Sequence, residues 1–423
     1  MAATATRTTE PDWLTELRER GRARFEELPV PHHKQKGWEF TDLSQFDPEG
    51  FEVVGPGPLD TRPARPAVVE AGDHPSLRAV DGAVEAGGGA LPEGLTLTTL
   101  AEAAVDHGDV VRAQLGELVL GGDKFAAQNT MAWNRGAFVH VASGARIEEP
   151  VVITAIQASA GAMPWRSLIV VEDGAEVTVV EQYLSSDDDL EGYFNPVTEI
   201  VVGQGATVNY LCVQDLAERS WSLGSQRARV ARDASLHWVG LGLGSGQGKL
   251  RMETDITGDG ASARITGAYV GQGSQHLDYD TTQEHAAPHT TSDLAFRGIL
   301  RDRATAVWSG MIKVDPGAQR TDAFQESRNL LLSDGAHADA IPGLEIEAND
   351  VRCTHAATVA RLDADQVFYL MSRGLTRGEA ERLLVGGFLE VIAGRLEDAP
   401  FLHEAVSAAL ERELERVLTN GLD

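Results

Sequence analysis

The chain has 423 residues, of which 64 are acidic and 36 are Lys or Arg, for a formal net charge of -28. That charge repels phosphate backbones and anionic membrane surfaces, so neither nucleic acid nor a membrane is an expected partner. The only two cysteines, Cys212 and Cys353, lie far outside CxxC or disulfide-framework spacing, and no run has the length or apolarity of a signal peptide or bilayer span; a reducing, cytoplasmic location is expected.

Residues 11–28 predict a helix, because Trp13, Leu14, Leu17, Phe25 and Leu28 share one face, and Pro29 and Pro31 end it. His32-His33 reads as a solvated loop. KGWEFTDLSQF follows, and then a Pro-, Gly- and Ala-rich stretch from Asp47 to about Pro92 that predicts linker or irregular structure. A short helical pair is expected within TTLAEAAVDHGDVVRAQLGELV, so residues 1–124 form an N-terminal helical region with a linker.

From Phe125 the helical period gives way to short β-rich runs punctuated by Gly-Ala or Asp-Ala: GARIEEPVVI at 144, GAEVTVVEQY at 174, GATVNYLCVQ at 205, DASLHWVGLG at 233 and GASARITGAY at 260. Successive starts differ by 30, 31, 28 and 27 residues. A strand-only repeat of this size must stack on its neighbours to bury its apolar face. A parallel β-helix over residues 125–360 meets that need, with small residues at the corners and alternating Val, Ile and Leu inside. A β-sandwich is the other architecture considered, but it normally carries Asn-Gly or Asp-Gly hairpin turns.

After Ala360 the helical texture returns in a C-terminal helical domain, residues 361–423. Asp363 is placed to cap a helix ending at Arg373-Gly374, and Thr376 with Glu379 forms a capping box for the next. In that second helix Ala380, Leu383, Leu384, Phe388, Val391 and Ile392 predict one stripe. Gly386 and Gly387 each cost about 1 kcal/mol against Ala and suggest close approach by another backbone. Leu402, Val406, Leu410, Leu414 and Val417 predict a last helix.

Two clusters carry candidate chemistry. In a strand, Cys353 and His355 of VRCTHAATVA share a face and reach one common point, yet two ligands do not complete a metal site; a buried Cys beside a satisfied His is the other reading. HLDYDTTQEH places Asp278 and Asp280 on one strand face with His285 nearby, and paired carboxylates on a β-helix suit a carbohydrate-active enzyme; a polar outer face is the alternative. The chain has no GxxxxGK[ST], HExxH or GxSxG motif.

The run TDAFQESRNLLLSDGAHADAIPGLEIEANDVRCTHAATVARLDADQVFYLMSRGLTRGEAERLLVGGFLEV resembles the SufB/SufD family of iron-sulfur cluster assembly proteins. HLDYDTTQEHAAPHTTSDLAFRGILRDRATAVWSGMIKV, DKFAAQNTMAWNRGAFVHVASGARIEEPVVI and KGWEFTDL also follow its pattern. The C-x-H-x-A-T-V stretch is more similar to the SufD branch than to SufB; Ala356 and Ala360 stand where many relatives have Gly. The resemblance implies a mainly β fold, a right-handed parallel β-helix between helical terminal regions. It implies a non-catalytic scaffold that pairs with a SufB-like paralogue through the β-helix, or with itself when isolated. A SufC-like ATPase would dock on the C-terminal helices around Phe368, Tyr369, Arg373, Gly374 and Phe388. It also implies that Cys353 and His355 form an incomplete site shared with the partner, where iron or a transient iron-sulfur cluster is handled and none is held by this chain alone.

Overall fold

The computed structural model describes residues 10–419. Its central feature follows from the repeated phrase. Gly144, Gly174, Gly205 and Gly260 have φ of 71°, 66°, 64° and 72°, and Asp233, which replaces Gly in the fourth copy, has φ of 55°. Glycine enters this left-handed region without a Cβ penalty, and Asp is among the side chains that tolerate it. Each phrase is therefore a corner. The alanines that follow (Ala175, Ala206, Ala234 and Ala261) are fully buried and turn the chain into the interior.

Between corners run strands of up to ten residues that alternate between two sheets, one of ten strands and one of nine. Within each sheet a strand pairs in parallel with the strand two along, so Trp221, Gln247, His276, Thr305 and His337 stack in register through successive coils. This is a parallel β-helix. The sandwich is ruled out by the ladders themselves, which are antiparallel only at the start, where Ser76–Val80 pairs Ala83–Gly87 and Leu95–Thr99 pairs Ala137–Val141. The interior holds Trp165, Trp238, Trp308, Tyr183, Tyr210 and Phe296, all fully buried among the Val, Ile and Ala of both sheets. Glu181 is buried there too, and accepts from Trp165 Nε1 (2.7 Å), Tyr210 (2.6 Å) and Thr198 (3.2 Å), so its charge is spread over donors.

Helices cover the outside of both sheets. Helix α1 (Asp12–Glu27), with α2 (Leu100–Asp106) and α3 (Gly108–Gln114), packs Leu14, Leu17, Leu100, Val111 and Leu115 on Phe138, Leu168 and Val170 of the nine-stranded sheet. Two features of this region depart from the expectation. Three strands lie between Ser76 and Thr99, inside or beside the supposed linker, because sheet edges supply the hydrogen-bond partners that the segment could not provide for itself. Residue 125 falls within a helix, α4 (Lys124–Ala132), capped by Asp123 and almost wholly buried, so it lacks the amphipathic stripe that reveals a helix in sequence. On the ten-stranded sheet sit α6 (Arg377–Gly394) and α7 (Pro400–Thr419), with Val385, Leu389, Ile392, Val406 and Leu410 against Val180, Leu211, Val239, Ala268 and Ile299, while α5 (Ala364–Ser372) packs on α6 and is mostly exposed. Asp363 caps α5, Gly374 takes φ of 101° after it, and Thr376 and Glu379 form the expected capping box.

Candidate functional site

The coils end abruptly. The strands His337–Ile346 and Arg352–Arg361 are the outermost members of the two sheets, and each has a partner on one side only. On the last strand, Cys353 lies in register over Ala323 and His355 over Gln325. Cys353 packs with Ile312, Val314, Ala318, Ala323 and Ala348, so it points into the β-helix; His355, two residues on, takes the same side. Their burial differs because no further coil stacks above them: Cys353 is half-buried and His355 exposed. The same parity turns Leu344, Ile346 and Val359 inward, yet they remain 37%, 40% and 42% exposed. A thiol and an imidazole thus sit in an uncapped, apolar end of the fold. Sequence reasoning had not singled out Leu344, Ile346 and Val359; extending the repeat register to the final coil would have placed them.

Burial raises the Cys353 thiol above its ordinary pKa, and the Asp322 carboxylate adds to the rise. The resting group is therefore a protonated thiol, which releases its proton when a metal binds. A thiolate and a neutral imidazole are suitable ligands for iron. Among the described residues no group of three or more His, Cys, Asp or Glu is arranged to hold a metal ion. Cys353 and His355 are two groups of that chemistry on one side of the last strand.

The other candidate cluster is built differently from the open carboxylate pair that carbohydrate chemistry needs. Asp278 is almost fully buried, bound to Lys249 Nζ (2.7 Å) and to the hydroxyl of Thr41, and the Lys249 ammonium lies 5.2 Å from the centroid of the Trp38 ring. Asp280 faces Arg251 at 3.9 Å, and burial raises its pKa. The KGWEFTDL segment thus covers the cluster, and Asp278 serves as its anchor; this overturns the carbohydrate-active reading of that pair. His285 is fully buried, with Nδ1 on Thr290 (2.8 Å) and Nε2 on Ser292 (2.9 Å), so neither nitrogen is free for a ligand. The other cysteine, Cys212, is buried inside, its thiol pushed up to about 12 chiefly by burial.

The C-terminal helices present a second surface. Phe368 is 72% exposed; Tyr369, Arg373 and Gly374 are exposed with it, and Arg373 donates to the Tyr369 hydroxyl. Phe388 instead turns towards the β-helix, with the Arg297 guanidinium 5.7 Å from its ring centroid. The expected single stripe on α6 is two. Ala380, Val385, Leu389 and Ile392 are buried, while Leu383 and Val391 are exposed on another side with Gly387 between them. A Cβ at Gly387 would meet nothing, and one at Gly386 only Leu414 at 3.6 Å, so among the described residues no backbone makes the expected close approach. Both glycines line a groove of about 670 Å³ between α6 and α7.

Residues 153–388 match the family model described as SUF system FeS cluster assembly, SufBD core domain. The chain is 30% identical over 405 residues to the iron-sulfur cluster assembly protein SufD of Bacillus subtilis, covering 92% of this chain and 91% of that one. It is 33% identical over 340 residues to an iron-sulfur cluster assembly SufBD family protein of Mycobacterium tuberculosis, covering 78% and 84%. Against iron-sulfur cluster assembly protein SufB of B. subtilis the identity is 27% over 303 residues, covering 70% and 64%.

Proposed function

The chain belongs to the SufB/SufD family of the SUF iron-sulfur cluster assembly system, and from that premise we propose that it is a SufD-like, non-catalytic scaffold subunit working in the cytoplasm. The observation that carries this reading is the uncapped β-helix end, whose last coil bears Cys353 and His355 as well as the exposed Leu344, Ile346 and Val359. Unpaired strand edges and exposed apolar residues on one end are features that a partner covers. The partner is a SufB-like paralogue presenting a matching end; a second copy of this chain takes its place when the paralogue is absent. The cluster is cargo. Cys353 and His355 supply part of its ligand set, and the paralogue or sulfide supplies the remainder.

The exposed Phe368, Tyr369, Arg373 and Gly374, with Leu383 and Val391, are the surface for a SufC-like ATPase. Phe388 supports that surface from beneath through its packing on Arg297. Helix α5 starts three residues after the last strand ends, so movement of a docked ATPase has a short covalent route to the strand bearing Cys353 and His355. The test is co-expression with both partners. A ternary complex should co-purify, and His355→Ala should leave it intact while reducing cluster formation. Failure to form a complex contradicts the scaffold reading, and unchanged cluster formation in His355→Ala contradicts the site.

A further inference from the structure

Helix α6 carries Gly386 and Gly387 at its centre, where each costs helix stability that Ala would restore. Glycine is of use where another backbone comes close. Among the described residues none does: the space beside Gly387 is open, and the space beside Gly386 holds only the Leu414 side chain. The use of the pair lies outside these residues.

The helical period turns the two glycines in different directions. Gly387 falls one turn from Leu383 and one turn from Val391, so the exposed apolar stripe of α6 has a gap at its middle. Gly386 lines the groove of about 670 Å³ between α6 and α7, together with Leu389, Ala393, Leu410 and Leu414. The groove follows α6 from Glu379 to Ala393, about 20 Å at 1.5 Å per residue. That length, the apolar floor and the room for close approach at the centre fit the apolar face of one amphipathic helix. The rim sets its charge. Glu390 and Glu411 stand exposed along the groove with no cationic partner among the described residues, while Arg382 on the same rim is paired with Glu415 at 2.6 Å. We infer that the groove receives an amphipathic helix of the ATPase, flanked by Lys or Arg, which crosses α6 most closely at Gly386 and Gly387. This rests on the proposed docking of a SufC-like ATPase, whose surface and the groove share Leu383. A second copy of this chain fits less well, because a net charge of -28 brings like charge to an acidic rim.

The test is isothermal titration calorimetry of the full chain with the SufC-like ATPase, alongside urea denaturation of each variant. Gly387→Ala should raise the urea midpoint, since Ala is the better helix former and meets nothing there. Gly387→Leu, at an exposed position, should fold and weaken ATPase binding at least about tenfold. The double variant Glu390→Lys with Glu411→Lys should weaken it as well. A lowered midpoint in Gly387→Ala would give the glycine a use within the chain and overturn the inference. Native affinity in Gly387→Leu would also overturn it, as would a Gly387→Leu effect confined to self-association of the chain in analytical ultracentrifugation. The two readings fail differently: if Phe368→Ser weakens binding and Gly387→Leu does not, the docking stands and the groove falls. If the native chain does not bind the ATPase, both fall.

Discussion

The Arg166 guanidinium and the Glu199 carboxylate meet at 2.5 Å with both side chains fully buried. Glu199 also accepts the backbone N–H groups of Gly116, Leu118 and Val119, and Arg166 donates to Thr130 and to the Val119 carbonyl. The pair thereby fastens the N-terminal helices to the nine-stranded sheet. Removing one partner leaves an uncompensated buried charge, so Glu199→Ala should destabilise the chain by about 3–5 kcal/mol. Urea denaturation of the two proteins measures this.

Acid should weaken the fold through two histidines. Burial lowers both His285 and His237 from 6.5 to about 4; for His237 the Arg264 and Arg395 guanidinium groups lower it further, while Asp398 and Asp293 oppose. Each binds its proton more readily when unfolded, so this contribution is fully present above about pH 6.5 and is lost as pH falls towards about 4. At about 1.4 kcal/mol per unit, each contributes about 3 kcal/mol. Urea midpoints measured across that window should fall with pH, and His285→Gln should reduce the dependence.

Asp278 and Lys249 hold the KGWEFTDL segment in place through Thr41 and Trp38. Asp278→Ala leaves the buried ammonium without its counter-ion, with an expected cost of about 3 kcal/mol or more. The segment from Val30 to Phe46 should then be cut earlier than the rest of the chain by a nonspecific protease, while the native protein resists at that segment.

The corner phrases made the β-helix legible, because one backbone requirement and one small inward residue recur from Gly144 to Gly260. The family resemblance singled out Cys353 and His355, and strand parity placed them on one face. The environment of Asp278 was not legible, since Thr41 reaches it from 237 residues away. Helix α6 misled because an 18-residue helix can carry two apolar stripes, and only packing shows which one is buried.

The exposed stripe gives a prediction of its own. Phe368→Ser and Leu383→Ser should change folding stability by less than about 0.5 kcal/mol, as expected for exposed positions. If these residues anchor the ATPase, each should weaken its binding at least about tenfold, or about 1.4 kcal/mol, by isothermal titration calorimetry. Unaltered affinity in both variants would place the docking surface elsewhere.

The central claim is that Cys353 and His355 are part of a site completed by another subunit. It is tested most directly by titrating ferrous iron anaerobically into the isolated chain and into its complex with the SufB-like paralogue. The account predicts stoichiometric binding only in the complex, lost in His355→Ala. Equally tight, His355-dependent binding by the isolated chain would contradict it.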